Sequence, residues 1–97
     1  MSTYISLINY TQDGIAAIKD SPKRLSAVKR LAKSMGGKVT HFYLTIGDYD
    51  LVIVYEMPDE ATAAKFLLTV GSFGAVRTKT LTAFPEAEYR EIIAALA

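Results

Sequence analysis

Aromatic and β-branched residues fill the stretch from Thr3 to Tyr10, which favours a strand. A Gln-Asp-Gly turn signal follows, and Gly14 to Ile18 can form a short helical turn. Ser21 reads as an N-cap with Pro22 at the first helical position, where its missing N–H costs nothing. Leu25, Val28, Leu31, Ala32 and Met35 then recur at helical spacing until Gly36-Gly37 closes the helix. Val39 to Ile46 is a second strand, and Gly47-Asp48-Tyr49-Asp50 has the residues of a turn. Leu51 to Tyr55 is apolar at every position, the mark of a strand buried on both faces. Asp59 is the expected N-cap of a second helix, with Ala63, Phe66, Leu67 and Val70 as its stripe and Gly71 at its end. Between Gly74 and Ala83, Val76, Thr78 and Thr80 alternate with Arg77, Lys79 and Leu81, the period of a fourth strand. Pro85 opens a third helix, with Glu86 and Glu88 suited to its first turn and Tyr89, Ile92, Ile93 and Leu96 forming one apolar stripe.

The order is β-α-β-β-α-β with an added C-terminal helix. It predicts a ferredoxin-like α+β sandwich in one domain over residues 1–97, with strands one and three central and parallel and strands two and four at the edges. Both crossover helices must cover the same face of the sheet. The other face stays bare although the third strand offers it apolar side chains, so a second copy packed sheet to sheet is the expected remedy.

Composition sharpens this. The 97 residues are 51% hydrophobic and carry eleven basic against ten acidic groups, a net charge of +1. Disorder is excluded, since it needs low hydrophobicity and high net charge. The absence of Cys removes thiol nucleophiles, disulfides, iron–sulfur clusters and cysteine-bound zinc. A single His cannot supply a multi-histidine metal centre. No phosphate-binding glycine loop or nucleophile-elbow motif occurs. No cofactor is indicated, and the expected metal content is none. Neither a signal peptide nor an apolar run long enough to span a bilayer is visible, so the expected setting is cytoplasmic, without a membrane partner.

Charge is uneven along the chain. Lys19, Lys23, Arg24, Lys29, Arg30, Lys33 and Lys38 crowd one segment, whereas Asp48, Asp50, Glu56, Asp59 and Glu60 crowd another. A basic helix could meet nucleic acid, but the aromatic signature of an RNA-binding sheet is missing and the net charge is nearly neutral, so no nucleic-acid partner is expected. A solvated helix face is the plainer reading, and contact between basic and acidic patches of two subunits lies between the two.

The segment from Thr40 to Tyr55, with Gly47, Tyr49 and Asp50 between two apolar strands, resembles the GYD domain family. Asn9-Tyr10-Thr11 with Gly14, Lys19 to Pro22, Pro58-Asp59 and Thr78 to Phe84 add to the resemblance, which covers most of the chain. It implies a dimeric α/β barrel in which two ferredoxin-like sheets pack face to face. Relatives by fold include cofactor-free monooxygenases, haem-dependent enzymes and ligand-binding regulatory domains; transferring any of those activities would be analogy at the level of fold.

Three functional readings remain open. The leading one is a homodimer, or higher homo-oligomer, that binds a small, partly apolar molecule in or beside the barrel. Tyr10, Tyr43, Tyr49, Asp50 and Arg77 are its candidate ligand-binding residues. The second is an enzyme of the cofactor-free monooxygenase kind, with His41 as base and Tyr43 or Tyr49 as hydrogen-bond donor. The third is a non-catalytic structural or regulatory interaction module. Period-two alternation puts His41 and Tyr43 on one face of strand two, but the sequence does not say which face.

Overall fold

The computed structural model describes residues 1–97. The elements run β1 (Ser2–Tyr10), α1 (Gln12–Ala16), a 3₁₀ turn (Ile18–Asp20), α2 (Ser21–Ser34), β2 (Lys38–Leu44), β3 (Leu51–Met57), α3 (Glu60–Ser72), β4 (Val76–Ala83) and α4 (Glu86–Ala94). The four strands form one sheet in the order β2-β3-β1-β4, with α2 and α3 on one face, which is the expected ferredoxin-like α+β arrangement.

One topological expectation is corrected. The central strands β1 and β3 are antiparallel, as is every neighbouring pair in the sheet. The crossover through α2 brings β2 back parallel to β1 but one place removed. The short connection after β2 then returns β3 in the opposite direction, into the gap between them. A hairpin partner of β2 must therefore run against β1 as well.

Local capping explains the boundaries. Asp59 caps α3 as expected: its Oδ1 accepts from the backbone N–H of Thr62 at 2.8 Å, and that bond holds its carboxyl below the usual range. Ser21 does not cap α2. The helix starts at Ser21 itself, after Asp20, with Pro22 in its first turn. The Ser21 hydroxyl is engaged instead with the phenol of Tyr10, 2.8 Å away.

The core lies between the sheet and the two long helices. Tyr4 and Ile8 on β1, Leu51, Ile53, Tyr55 and Met57 on β3, and Ala32, Ala63, Phe66 and Val70 on the helices are all buried. Tyr55 is its centre. Its ring stacks on Tyr4 and tilts against Phe66, with centroids 5.7 and 5.1 Å away. Its hydroxyl pairs with Ser6 Oγ at 3.0 Å, and Ser6 continues to Thr80 Oγ1 at 2.7 Å. Burial pushes the Tyr55 phenol above its ordinary pKa.

A bulge sets the faces of β2. Val39 stands opposite Tyr55, but His41 stands opposite Val54, so Thr40 is the extra residue. Phe42 therefore joins the helix side, and His41 and Tyr43 turn to the open side.

Candidate functional site

The loop between β2 and β3 is tied to β1 from several sides. The Asp50 carboxylate accepts from the Tyr10 backbone N–H at 2.9 Å, and the Asp50 N–H donates to the Ile8 carbonyl at 2.9 Å. Asn9 Nδ2 donates to the Asp48 carbonyl at 2.9 Å, and Thr45 Oγ1 donates to the Tyr49 carbonyl at 2.6 Å. Gly47 has φ +138°, a conformation that residues with a Cβ rarely adopt. The Gly-x-Tyr-Asp turn is thus a clamp that fixes where β3 enters the sheet. Tyr49 is carried to Lys79 on β4, whose Nζ stands 5.8 Å from the ring centroid.

The uncovered face of the sheet is ordered in rows by the strand register. Tyr43, Val52, Leu7 and Lys79 form one row across all four strands. His41, Val54, Ile5 and Leu81 form the next. Asn9 and Arg77 pair at one end, and Lys38, Glu56, Thr3 and Ala83 make the row at the other. The middle of this face is apolar and its ends are polar. His41 is exposed; its Nδ1 lies 3.1 Å from Thr40 Oγ1, and its ring stacks on Tyr43 with centroids 6.4 Å apart.

The helix-covered face holds a second feature. A cleft runs between the N-terminal half of α2 and the sheet, as two adjoining hollows of about 140 and 320 Å³. Both are lined by Tyr10, Ser21, Leu25, Phe42 and Leu51. The polar exceptions to its apolar wall are the Tyr10–Ser21 hydroxyl pair and Arg24. Arg24 donates to the carbonyls of Ala17 (3.0 Å) and Gly14 (3.4 Å), so its guanidinium is held beside the smaller hollow.

The five candidate ligand residues are therefore divided. Tyr10 lines the cleft, Tyr43 and Arg77 lie on the open face, Tyr49 meets Lys79, and Asp50 holds the loop. The structure does not bring them together into one site. Ser21, Arg24 and Phe42 line the cleft although nothing in the sequence marks them for it. Ser21 has the look of a cap, Arg24 is one basic residue among seven, and the face of Phe42 depends on the bulge. Chemically, the cleft can hold an apolar body with a polar head. Neither feature pairs a nucleophile with a base, and no group of three or more His, Asp or Glu is placed to hold a metal ion. No helix is long and apolar enough to cross a membrane.

The GYD domain model matches residues 4–93 of the chain. A Thermus thermophilus protein named glutamine synthetase and cystathionine beta-lyase binding protein is 38% identical over 89 residues, covering 91% of this chain and 94% of its own length. A solved protein from Thermus thermophilus superimposes with a TM-score of 0.56 at 25% identity, over 88% of this chain and 95% of that one. A feast or famine regulatory protein from M. tuberculosis, solved with L-methionine, gives a TM-score of 0.67 at 15% identity over 88% of this chain. At that identity the likeness is one of fold, and this chain spans about half, 51%, of that protein's length.

Proposed function

The chain belongs to the GYD domain family, and on that footing we propose that it is a homodimeric, non-catalytic binding protein whose partner is a metabolic enzyme. The observation that carries the dimer is the bare sheet face, where Val52, Leu7, Val54, Ile5 and Leu81 adjoin with no helix over them. A two-fold axis parallel to the strands lays each row over the same row of a second copy in reverse order. Tyr43 then meets Lys79 of the other copy, and the apolar centres meet each other. The choice of partner is supported by the relative from Thermus thermophilus, whose name assigns it two enzymes to bind. A cytoplasmic setting belongs to the same proposal.

A reaction at His41 has less support, because the imidazole is exposed and its one side-chain partner is Thr40 rather than a carboxylate. A second reading is favoured by the cleft: a small molecule with an apolar body and a polar or anionic head, seated on Leu25 and Phe42 beside Tyr10 and Arg24.

Sedimentation of the purified chain, alone and mixed with purified glutamine synthetase or cystathionine β-lyase, tests the proposal. A dimer that co-sediments with one of them is expected. A monomer at tens of micromolar overturns the dimer. A dimer that binds neither enzyme overturns the choice of partner. Calorimetry with medium-chain carboxylates as probes tests the cleft, and the absence of heat at millimolar probe overturns that reading.

A further inference from the structure

α4 has no place in its own chain. All nine of its residues are exposed, among them Tyr89, Ile92 and Ile93, and Leu96 beyond its end is exposed too. These four recur at i, i+3, i+4 and i+7, which makes one continuous apolar stripe. An isolated helix of this length is marginal in water, because nucleation is costly and few bonds repay it. Such a stripe needs a surface to cover it.

We propose that α4 is an exchanged arm, which crosses to a second copy of this chain and lies against the C-terminal half of that copy's α2 and the start of its β2. The inference rests on the face-to-face dimer proposed above. Two observations point to this seat. The first is position. Ala83, Thr3, Glu56 and Lys38 form one row, so α4 leaves the β4 edge level with Lys38 on the opposite edge. The two-fold axis that superposes reversed rows puts the root of α4 beside Lys38 of the other copy. The second is charge. Glu86 of α4 is paired with Arg90 at 2.8 Å, whereas Glu88, on the flank of the stripe, has no ion-pair partner. The proposed seat carries Lys29, Arg30, Lys33 and Lys38, with no acidic residue between positions 29 and 38, Glu56 of β3 opposite Lys38, and no ion pair to any of the four. Met35 and Val39, half-buried at the same end, supply apolar surface for the stripe.

Sedimentation equilibrium of charge variants tests the arm. Glu88→Lys should weaken the dimer by about tenfold at low salt, since like charges then face each other in both arms. Lys33→Glu with Lys38→Glu should weaken it similarly, and mixing the two variants should restore heterodimers at near wild-type affinity. A chain ending at Phe84 should dimerise more weakly than the full chain. Should that shortened chain or the Glu88 variant dimerise with unchanged affinity, or the mixture fail to restore it, the arm is wrong and the sheet-face dimer stands. A wild-type chain that stays monomeric overturns both.

Discussion

The Asp50 carboxylate holds the backbone N–H of Tyr10 at 2.9 Å, across 40 residues of sequence. This bond joins the signature turn to the end of β1, where the chain leaves the sheet for α1. Asp50→Ala removes a charged acceptor from a half-buried N–H and should lower stability by about 2 kcal/mol. Asp50→Asn keeps an acceptor and should cost less. Urea unfolding of the two variants checks this, and equal losses would show that the carboxylate acts otherwise than through Tyr10.

Gly14 tests the tightness of the same corner. A Cβ there would be driven into the Ala75 carbonyl oxygen, the atom that accepts from the Thr11 N–H at 3.0 Å. Backbone atoms on both sides leave little room to yield. Gly14→Ala should therefore destabilise by about 3 kcal/mol despite its ordinary helical geometry. Thermal melting of the variant gives the answer, and an unchanged midpoint would refute the close approach.

Two stacked tyrosines should respond oppositely to loss of a hydroxyl. The Tyr55 hydroxyl bonds Ser6, whereas the Tyr4 hydroxyl is buried with no partner in the protein. Tyr55→Phe should cost about 1 kcal/mol, and Tyr4→Phe should be neutral or stabilising. The pH dependence follows from the direction of the Tyr55 shift. Its phenol is raised in the folded state, so this contribution to stability is complete below the unfolded value near 10 and is lost as pH rises through the folded one. Above about pH 10, Tyr55→Phe should lose stability less steeply than the wild type. Parallel curves would remove Tyr55 as the cause.

His41→Ala should change stability by no more than about 0.5 kcal/mol, because the ring is exposed and its bond to Thr40 is local. Failure of this variant to fold would make the histidine structural and retire it as a candidate base. If it folds but loses self-association, the open face is engaged as proposed.

Most of the architecture is legible in the sequence because apolar spacing reports which side of each element is covered. The stripe Ala63, Phe66 and Val70 is the buried face of α3, and the unbroken apolar run in β3 serves two faces of the sheet. Strand polarity is not legible in the same way, because a crossover returning one place away looks, in sequence, like one that returns adjacent. The site is less legible still, for a physical reason in each case. Asp50 reads as turn chemistry until Tyr10 is seen beside it. Ser21 reads as a cap until the Tyr10 hydroxyl claims it. The separation of Tyr10 from Tyr43 depends on the bulge, and no period-two pattern contains an extra residue.

That extra residue has a consequence for chain length. On either side of Thr40, Val39 faces the helices and His41 faces away, as neighbours would in an unbroken strand. Removing Thr40 would leave a regular ladder with every side chain on its present side. Removing any residue between Phe42 and Leu44 would exchange the sides of those that remain beyond it. Homologues one residue shorter in this strand should therefore carry their gap at Thr40. The sheet has one joint where its edge can gain or lose a codon without its two surfaces trading places.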